Sequence, residues 1–158
     1  VRQTLFDMLL HAPWAGRESV VGVSVLDAYA GTGALGLEAV SRGAASAVLM
    51  ERDRVAQGVI KANIAACRME DRVRLLRCDV TGPPRTGEAC GLVFLDPPYG
   101  QGLIARGMKA LGRAGWLGEG ALIVAESGAD EAIVATGAVL AEKVMGAARV
   151  SIWRHRVG

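Results

Sequence analysis

The chain has 158 residues, 51% of them hydrophobic but only 4% aromatic, with a formal charge of +2. That length suits one domain with its own core and is short for a catalytic domain plus a separate substrate domain. The composition calls for a core of Ala, Val, Leu and Ile, as in sheets buried on both faces. Fifteen of the 18 basic residues are Arg, the better fork for phosphate and base edges, although a codon preference produces the same bias. No run approaches the roughly 18 apolar residues of a membrane span, so no membrane is expected as a partner and the cytoplasm is the expected location.

The first ten residues, VRQTLFDMLL, place Arg2 and Asp7 among apolar side chains and predict an amphipathic helix over about 1–11, not a signal peptide. Because the first residue is Val, the natural chain is expected to begin earlier. Strand-like and helix-like runs then alternate, with neither linker nor repeat, in the βαβ pattern of a parallel sheet. Strands are predicted at 24–30, 46–51, 73–78, 91–96 and 120–127. Helices are predicted from about Ala34 to Arg42, from about Asp53 to Cys67 with Asp53 as N-cap, and from about Leu103 to Ala114. Residues 81–89, TGPPRTGEA, hold too many breakers for a long helix and read as a loop.

From Leu140 to Arg156, two strand-like runs meet at MGAA, an antiparallel hairpin signal. Five crossover strands followed by a hairpin make a seven-stranded Rossmann-like layout, which is unusual for a dehydrogenase. Cys67, Cys78 and Cys90 are widely spaced and read as reduced core residues. With His11 and His155 the only histidines and no metal-ligand spacing, no metal is expected.

Residues 26–40, LDAYAGTGALGLEAV, carry Gly31-x-Gly33-x-x-Gly36 between a strand and a helix, the dinucleotide-binding spacing. The glycines permit a tight turn and close backbone approach by any nucleotide-bearing ligand. Asp27, just before the loop, is awkward beneath a pyrophosphate but suits the ammonium of a methionine moiety. Glu51, 20 residues after Gly31 at the end of strand 2, can accept ribose hydroxyls from either NAD or S-adenosylmethionine (SAM), or stand as a solvated strand end. Asp27 tips the choice toward SAM. Asp79, after strand 3, either reaches an adenine edge or caps its own loop.

LVFLDPPYG, residues 92–100, ends a hydrophobic strand in a stiff turn that fixes a carboxylate, a carbonyl and a ring. In a sheet ordered 3-2-1-4-5, strands 1 and 4 adjoin where the winding reverses, so this turn and the glycine loop face one crevice. An exocyclic base amine is a poor nucleophile until acceptors hold its hydrogens. Asp96 Oδ and the Pro97 carbonyl supply two acceptors there, and Tyr99 can stack on the base.

These stretches resemble the RsmD-type 16S ribosomal RNA guanine-N2 methyltransferases. VRQTLFDML is similar to that family's VRE-x-LFN-x-L helix, LDAYAGTGALGLEAVSRGA to its glycine-loop segment, and FLDPPYG to its DPP(F/Y) motif. The resemblance implies a Rossmann-like class I SAM-dependent methyltransferase fold, α/β, with a seven-stranded mostly parallel sheet in the order 3-2-1-4-5-7-6 and an antiparallel terminal hairpin. It assigns SAM contacts to Asp27, Ala30, Gly31, Gly33, Glu51 and Asp79, and the target base to Asp96, Pro97 and Tyr99. The implied partner is 16S rRNA or the small ribosomal subunit, met by a monomer. The family's Arg- and Gly-rich segment and R-P-T motif do not precede Val1, so the expectation is a single domain over 1–158 without the natural N-terminal RNA-docking segment. The rivals are an N6-adenine methyltransferase on RNA or DNA, an NAD-dependent oxidoreductase supported only by the glycine loop, and a catalytically silent RNA-binding module.

Overall fold

The computed structural model describes residues 2–98 and 100–157. Its strands are β1 (Ser24–Ala28), β2 (Ser46–Glu51), β3 (Val73–Arg77), β4 (Cys90–Leu95), β5 (Leu117–Gly128), β6 (Val139–Met145) and β7 (Ala148–Arg154). Its helices are α1 (Arg2–His11), α2 (Ala34–Ser41), α3 (Arg54–Ala66) and α4 (Leu103–Arg113). The sheet order is β3-β2-β1-β4-β5-β7-β6, with β7 antiparallel to both neighbours and the other pairs parallel. This is the expected order. Among the described residues, no helix is long and apolar enough to cross a membrane.

Alternation along the strands builds two cores. Val25, Phe94 and Val124 face one side, where α1, α2 and α3 pack through Phe6, Val40 and Ile60. Leu26, Val93, Leu95 and Ile123 face the other side, against α4 through Met108 and Leu111. Among the described residues, that second face has one helix and is completed by two irregular segments. Trp116 Nε1 donates to Pro84 O at 2.8 Å, holding the 81–89 loop down, and Ile133 and Ala135 pack on the same core from the β5–β6 connection.

Local chemistry accounts for the element boundaries. Asp53 caps α3, its carboxylate accepting from Ala56 N at 2.9 Å. The hairpin turns at Gly146, whose φ of 65° favours glycine. Three expectations need correction. Strand β1 ends at Ala28 rather than residue 30, because Tyr29 takes a φ of 59° and leaves the extended region. Strand β5 starts at Leu117 rather than 120. Gly118 makes this possible, since a Cβ there would stand 3.0 Å from Cys90 O on the paired strand. Cys67 is exposed at the C-terminal end of α3 and is not a core residue, Cys78 is half-buried, and only Cys90 is fully buried; all three are free thiols.

Candidate active site at the carboxyl ends of the strands

A crevice of about 600 Å³ opens above β1, β2, β3 and β4, lined among others by Tyr29, Gly31, Glu51, Asp79, Asp96 and Arg106. It lies where the winding reverses between β1 and β4, the usual ligand position in open α/β sheets. Its volume falls within the roughly 300–1,000 Å³ of small-molecule sites.

Gly31 has a φ of 61°, and a Cβ built on it meets nothing within 4 Å, so its backbone faces open space in the crevice. Gly33 and Gly36 serve packing instead. A Cβ on Gly33 would stand 2.8 Å from Leu49 Cδ1, and one on Gly36 2.3 Å from Leu49 Cδ2. These glycines let α2 sit directly on β1 and β2. Ala30 holds the turn with its backbone, donating to Met50 O at 2.9 Å and accepting from Gly33 N at 2.8 Å. Asn63 on α3 steadies the loop from outside through Thr32 O at 3.0 Å.

Three acidic residues on this side, Asp27, Glu51 and Asp79, are each held by backbone amides. Asp27, 2% exposed, accepts from Gly36 N at 2.9 Å. It thereby satisfies an orphan donor in the first turn of α2, a role that the N-cap residue Gly33 has no side chain to fill. Burial pushes the Asp27 carboxyl up to about 7 despite that hydrogen bond, with smaller contributions from Asp96 and Glu51. Asp27 lies beneath the crevice rather than in its lining.

Glu51 bridges two loops. Its Oε1 accepts from Gly31 N at 2.8 Å and its Oε2 from Asp53 N at 2.9 Å. An ionised carboxylate has about four lone-pair sites, so acceptor capacity remains for hydroxyl groups in the crevice. Asp79 caps its own turn, accepting from Thr81 N at 2.9 Å and Thr81 Oγ1 at 2.7 Å, and these bonds hold its carboxyl below the usual range. Across the mouth, Arg52 Nη1 stands 3.4 Å from Asp79 Oδ2.

Asp96 follows β4 and is open to solvent on its crevice side, while Pro97 is buried. Tyr99 lies outside the described residues. After it, Gly100 N donates to Glu131 Oε1 at 3.0 Å and ties the turn to the β5–β6 connection. Partial burial first, and then a hydrogen bond and charge repulsion from Glu126, push the Asp96 carboxyl well above the ordinary range. Asp96 and Glu126 also line a second, smaller cavity of about 210 Å³ on the α1 side of the sheet.

The structure thus brings Gly31, Glu51, Asp79, Asp96 and Pro97 to one crevice and puts Asp27, Ala30 and Gly33 behind its wall. It adds Tyr29, Arg106 and Glu126. The Tyr29 hydroxyl donates to Leu103 O at 2.9 Å, latching the glycine loop to α4, and burial pushes its phenol up to about 12. A tyrosine in the left-handed region marks a place where local preference has been overruled. Glu126 carried one sequence signal, as the acidic residue that directly follows the apolar run ALIVA of β5.

Comparison with known proteins agrees with this geometry. The family model described as conserved hypothetical protein 95 matches residues 1–154. The ribosomal RNA small subunit methyltransferase D of Escherichia coli is 41% identical over 128 residues, 80% of this chain and 61% of that protein. The chain therefore spans under two thirds of that relative's length. A putative methyltransferase structure from Escherichia coli superposes with a TM-score of 0.82 at 31% identity, covering 99% of this chain and 85% of that one. An RNA methyltransferase from Salinibacter ruber, in complex with S-adenosyl-L-homocysteine, shares the fold with a TM-score of 0.74 at 14% identity, covering 99% of this chain and 91% of that one. With its glycine loop, Asp-Pro-Pro turn and seven-stranded order in place, the chain belongs to the RsmD-type, conserved hypothetical protein 95 family.

Proposed function

We propose that residues 1–158 form one SAM-dependent methyltransferase domain that modifies the exocyclic N2 of a guanine in 16S rRNA, in the naked RNA or the small ribosomal subunit. The observation that carries this reading is the position of Asp96, which lines both the large crevice and the smaller cavity beside it. A group at that junction can touch a cofactor and an acceptor at once. The name of the Escherichia coli relative supports the substrate class, and the ligand of the Salinibacter ruber enzyme supports the cofactor. The reading includes a cytoplasmic monomer without a metal.

The crevice residues fit SAM. Gly31 leaves its backbone open to a ligand, Glu51 keeps lone pairs for ribose hydroxyls, and the turn capped by Asp79 borders the adenine end. Asp27 places a buried carboxyl beneath the loop, and an ammonium bound above it would favour the ionised form that burial alone disfavours. When bound, SAM supplies an electrophilic methyl group. Asp96 and the Pro97 carbonyl would hold the amine hydrogens and so turn the nitrogen lone pair toward that methyl. The ionised Asp96 carboxylate would accept the proton that the amine gives up. Tyr99 is assigned to stacking on the base.

The test is transfer of labelled methyl from SAM to small ribosomal subunits, 16S rRNA and duplex DNA, followed by nucleoside analysis, with calorimetry of SAM and NAD alongside. N2-methylguanosine in the rRNA is expected, with SAM binding and no NAD binding. Label in N6-methyladenine, or NAD binding equal to SAM, would overturn the reading.

A further inference from the structure

The smaller cavity has an uneven lining. Its walls are apolar, with Leu35, Phe94, Val124 and Val150, and its polar side chains among the described residues are Arg2, Asp96 and Glu126. At about 210 Å³ it is below the roughly 300–1,000 Å³ of pockets for drug-sized ligands and is scaled to one planar ring system. Backbone register explains why the two acids meet there. Strand β4 pairs with β5 so that Phe94 faces Val124 and Leu95 faces Ala125. One step further, Asp96 and Glu126 stand side by side, on the face that Phe94 and Val124 share.

We propose that this cavity reads the Watson–Crick edge of the acceptor guanine: Asp96 accepts from N2–H, Glu126 accepts from N1–H, and Arg2 donates to O6. The proposal rests on the guanine reading above and deepens it by assigning the residues that select the base. An ionised carboxylate is acceptor-only and a guanidinium is donor-only, so the lining presents acceptor, acceptor, donor. Guanine's edge presents the complement, donor at N2, donor at N1 and acceptor at O6. Adenine would aim the N1 lone pair, and cytosine the N3 lone pair, at the Glu126 carboxylate. Neither satisfies both acids.

Asp96 and Glu126 are hydrogen-bonded to each other. Two adjacent N–H donors of a docked base can take the place of that contact, one on each carboxylate. Arg2 is free to turn inward. Its side chain is 53% exposed, and its pairing with Glu38 at 3.6 Å is of the surface kind that contributes little.

Once the acceptor nucleotide is mapped, the experiment compares RNA carrying guanine at that position with RNA carrying 2-aminopurine. This analogue keeps the N2 amine but has a lone pair at N1 and a hydrogen in place of O6. The wild-type protein should prefer guanine by at least about 100-fold in kcat/KM, since a site built to hydrogen-bond a group rejects the analogue lacking it. In Glu126→Gln the amide can donate to N1 of the analogue, and the preference should fall by roughly tenfold or more. SAM affinity measured by calorimetry should stay unchanged. The same shift should appear in equilibrium binding of the two RNAs without cofactor.

An unchanged preference in Glu126→Gln, with guanine still methylated, would overturn this assignment while leaving the proposed function standing. Equal use of both RNAs by the wild type would do the same. Absence of guanine methylation by the wild type would instead sink the function on which the assignment rests. Should Glu126→Gln fail to fold, Glu126→Ala carries the comparison: a reduced preference supports Glu126 as the N1 reader, and an unchanged one rejects it.

Discussion

The acids on the two sides of the switch point are held in different ways. At β1, β2 and β3, Asp27, Glu51 and Asp79 are each tied to backbone amides: those of Gly36, of Gly31 and Asp53, and of Thr81. At β4 and β5, Asp96 and Glu126 are held by each other. The first set needs no ligand to be satisfied, so the wall of the large crevice is organised before anything binds. The second set is a pair of like groups in contact, so each disfavours the charge of the other. Under the proposed function, one side is preorganised for a cofactor and the other is completed by its substrate, which would keep ordering cost low at the first and selectivity high at the second.

The sharpest way to break this contrast is to remove Asp96. Asp96→Ala should leave SAM affinity nearly unchanged and lower methyl transfer by about 10²–10⁴-fold, the range for a positioned proton acceptor. Calorimetry and single-turnover transfer, measured together, check the split. A matching loss of SAM affinity would show that the two sides are not separate.

Next in size is Asp27→Asn. Losing the charge beneath the loop should weaken SAM binding by roughly 10- to 100-fold, the equivalent of about 1.5–3 kcal/mol for an interaction with a charged group. The ligand-free protein should respond in the opposite sense. Folding raises the Asp27 carboxyl from 3.8 to about 7, so between those values the native state holds a proton that the unfolded chain has released. The stability this confers is full below about pH 4 and is lost as pH rises through 7. Asp27→Asn should flatten that fall in denaturant midpoints. His155 sets a limit on the acid side, because burial holds its imidazole below 6.5 and its contribution is lost as pH drops through that value.

Smaller effects test the scaffold. A methyl added at Gly36 would stand 2.3 Å from Leu49 Cδ2, a side chain with no exposure. Overpacking of about 1–3 kcal/mol should exceed the helix-propensity gain of up to about 1 kcal/mol, so Gly36→Ala should be destabilised in urea unfolding. Smallest is Asp53→Ala, which removes the α3 cap and should cost about 1 kcal/mol. Because Asp53 N also donates to Glu51, a larger loss would indicate that cap and site are coupled.

Much of this was legible in the residues alone, wherever the information is local. Period-two apolar runs mark strands, breakers mark the 81–89 loop, MGAA marks the hairpin, and Asp53 sits where a cap belongs. The glycine spacing and the Asp-Pro-Pro turn located the crevice, because parallel strands connected in that order must bring those two loops together.

What local pattern does not encode is the partner of each side chain. Asp27 reads as a ligand contact from its position before the loop, yet in the fold it first caps α2, because Gly36 packs close enough for its amide to reach. Glu126 is 30 residues from Asp96 along the chain, and only the register of β4 on β5 sets them side by side. Tyr29 takes a left-handed conformation, and its hydroxyl reaches the Leu103 carbonyl 74 residues on, at the start of α4. Shifted acidity depends on burial and neighbouring charge, which exist once long-range contacts have formed. The sequence by itself determined which elements form and where the crevice opens; the tertiary structure decided which acids are held by backbone amides and which two are set against each other.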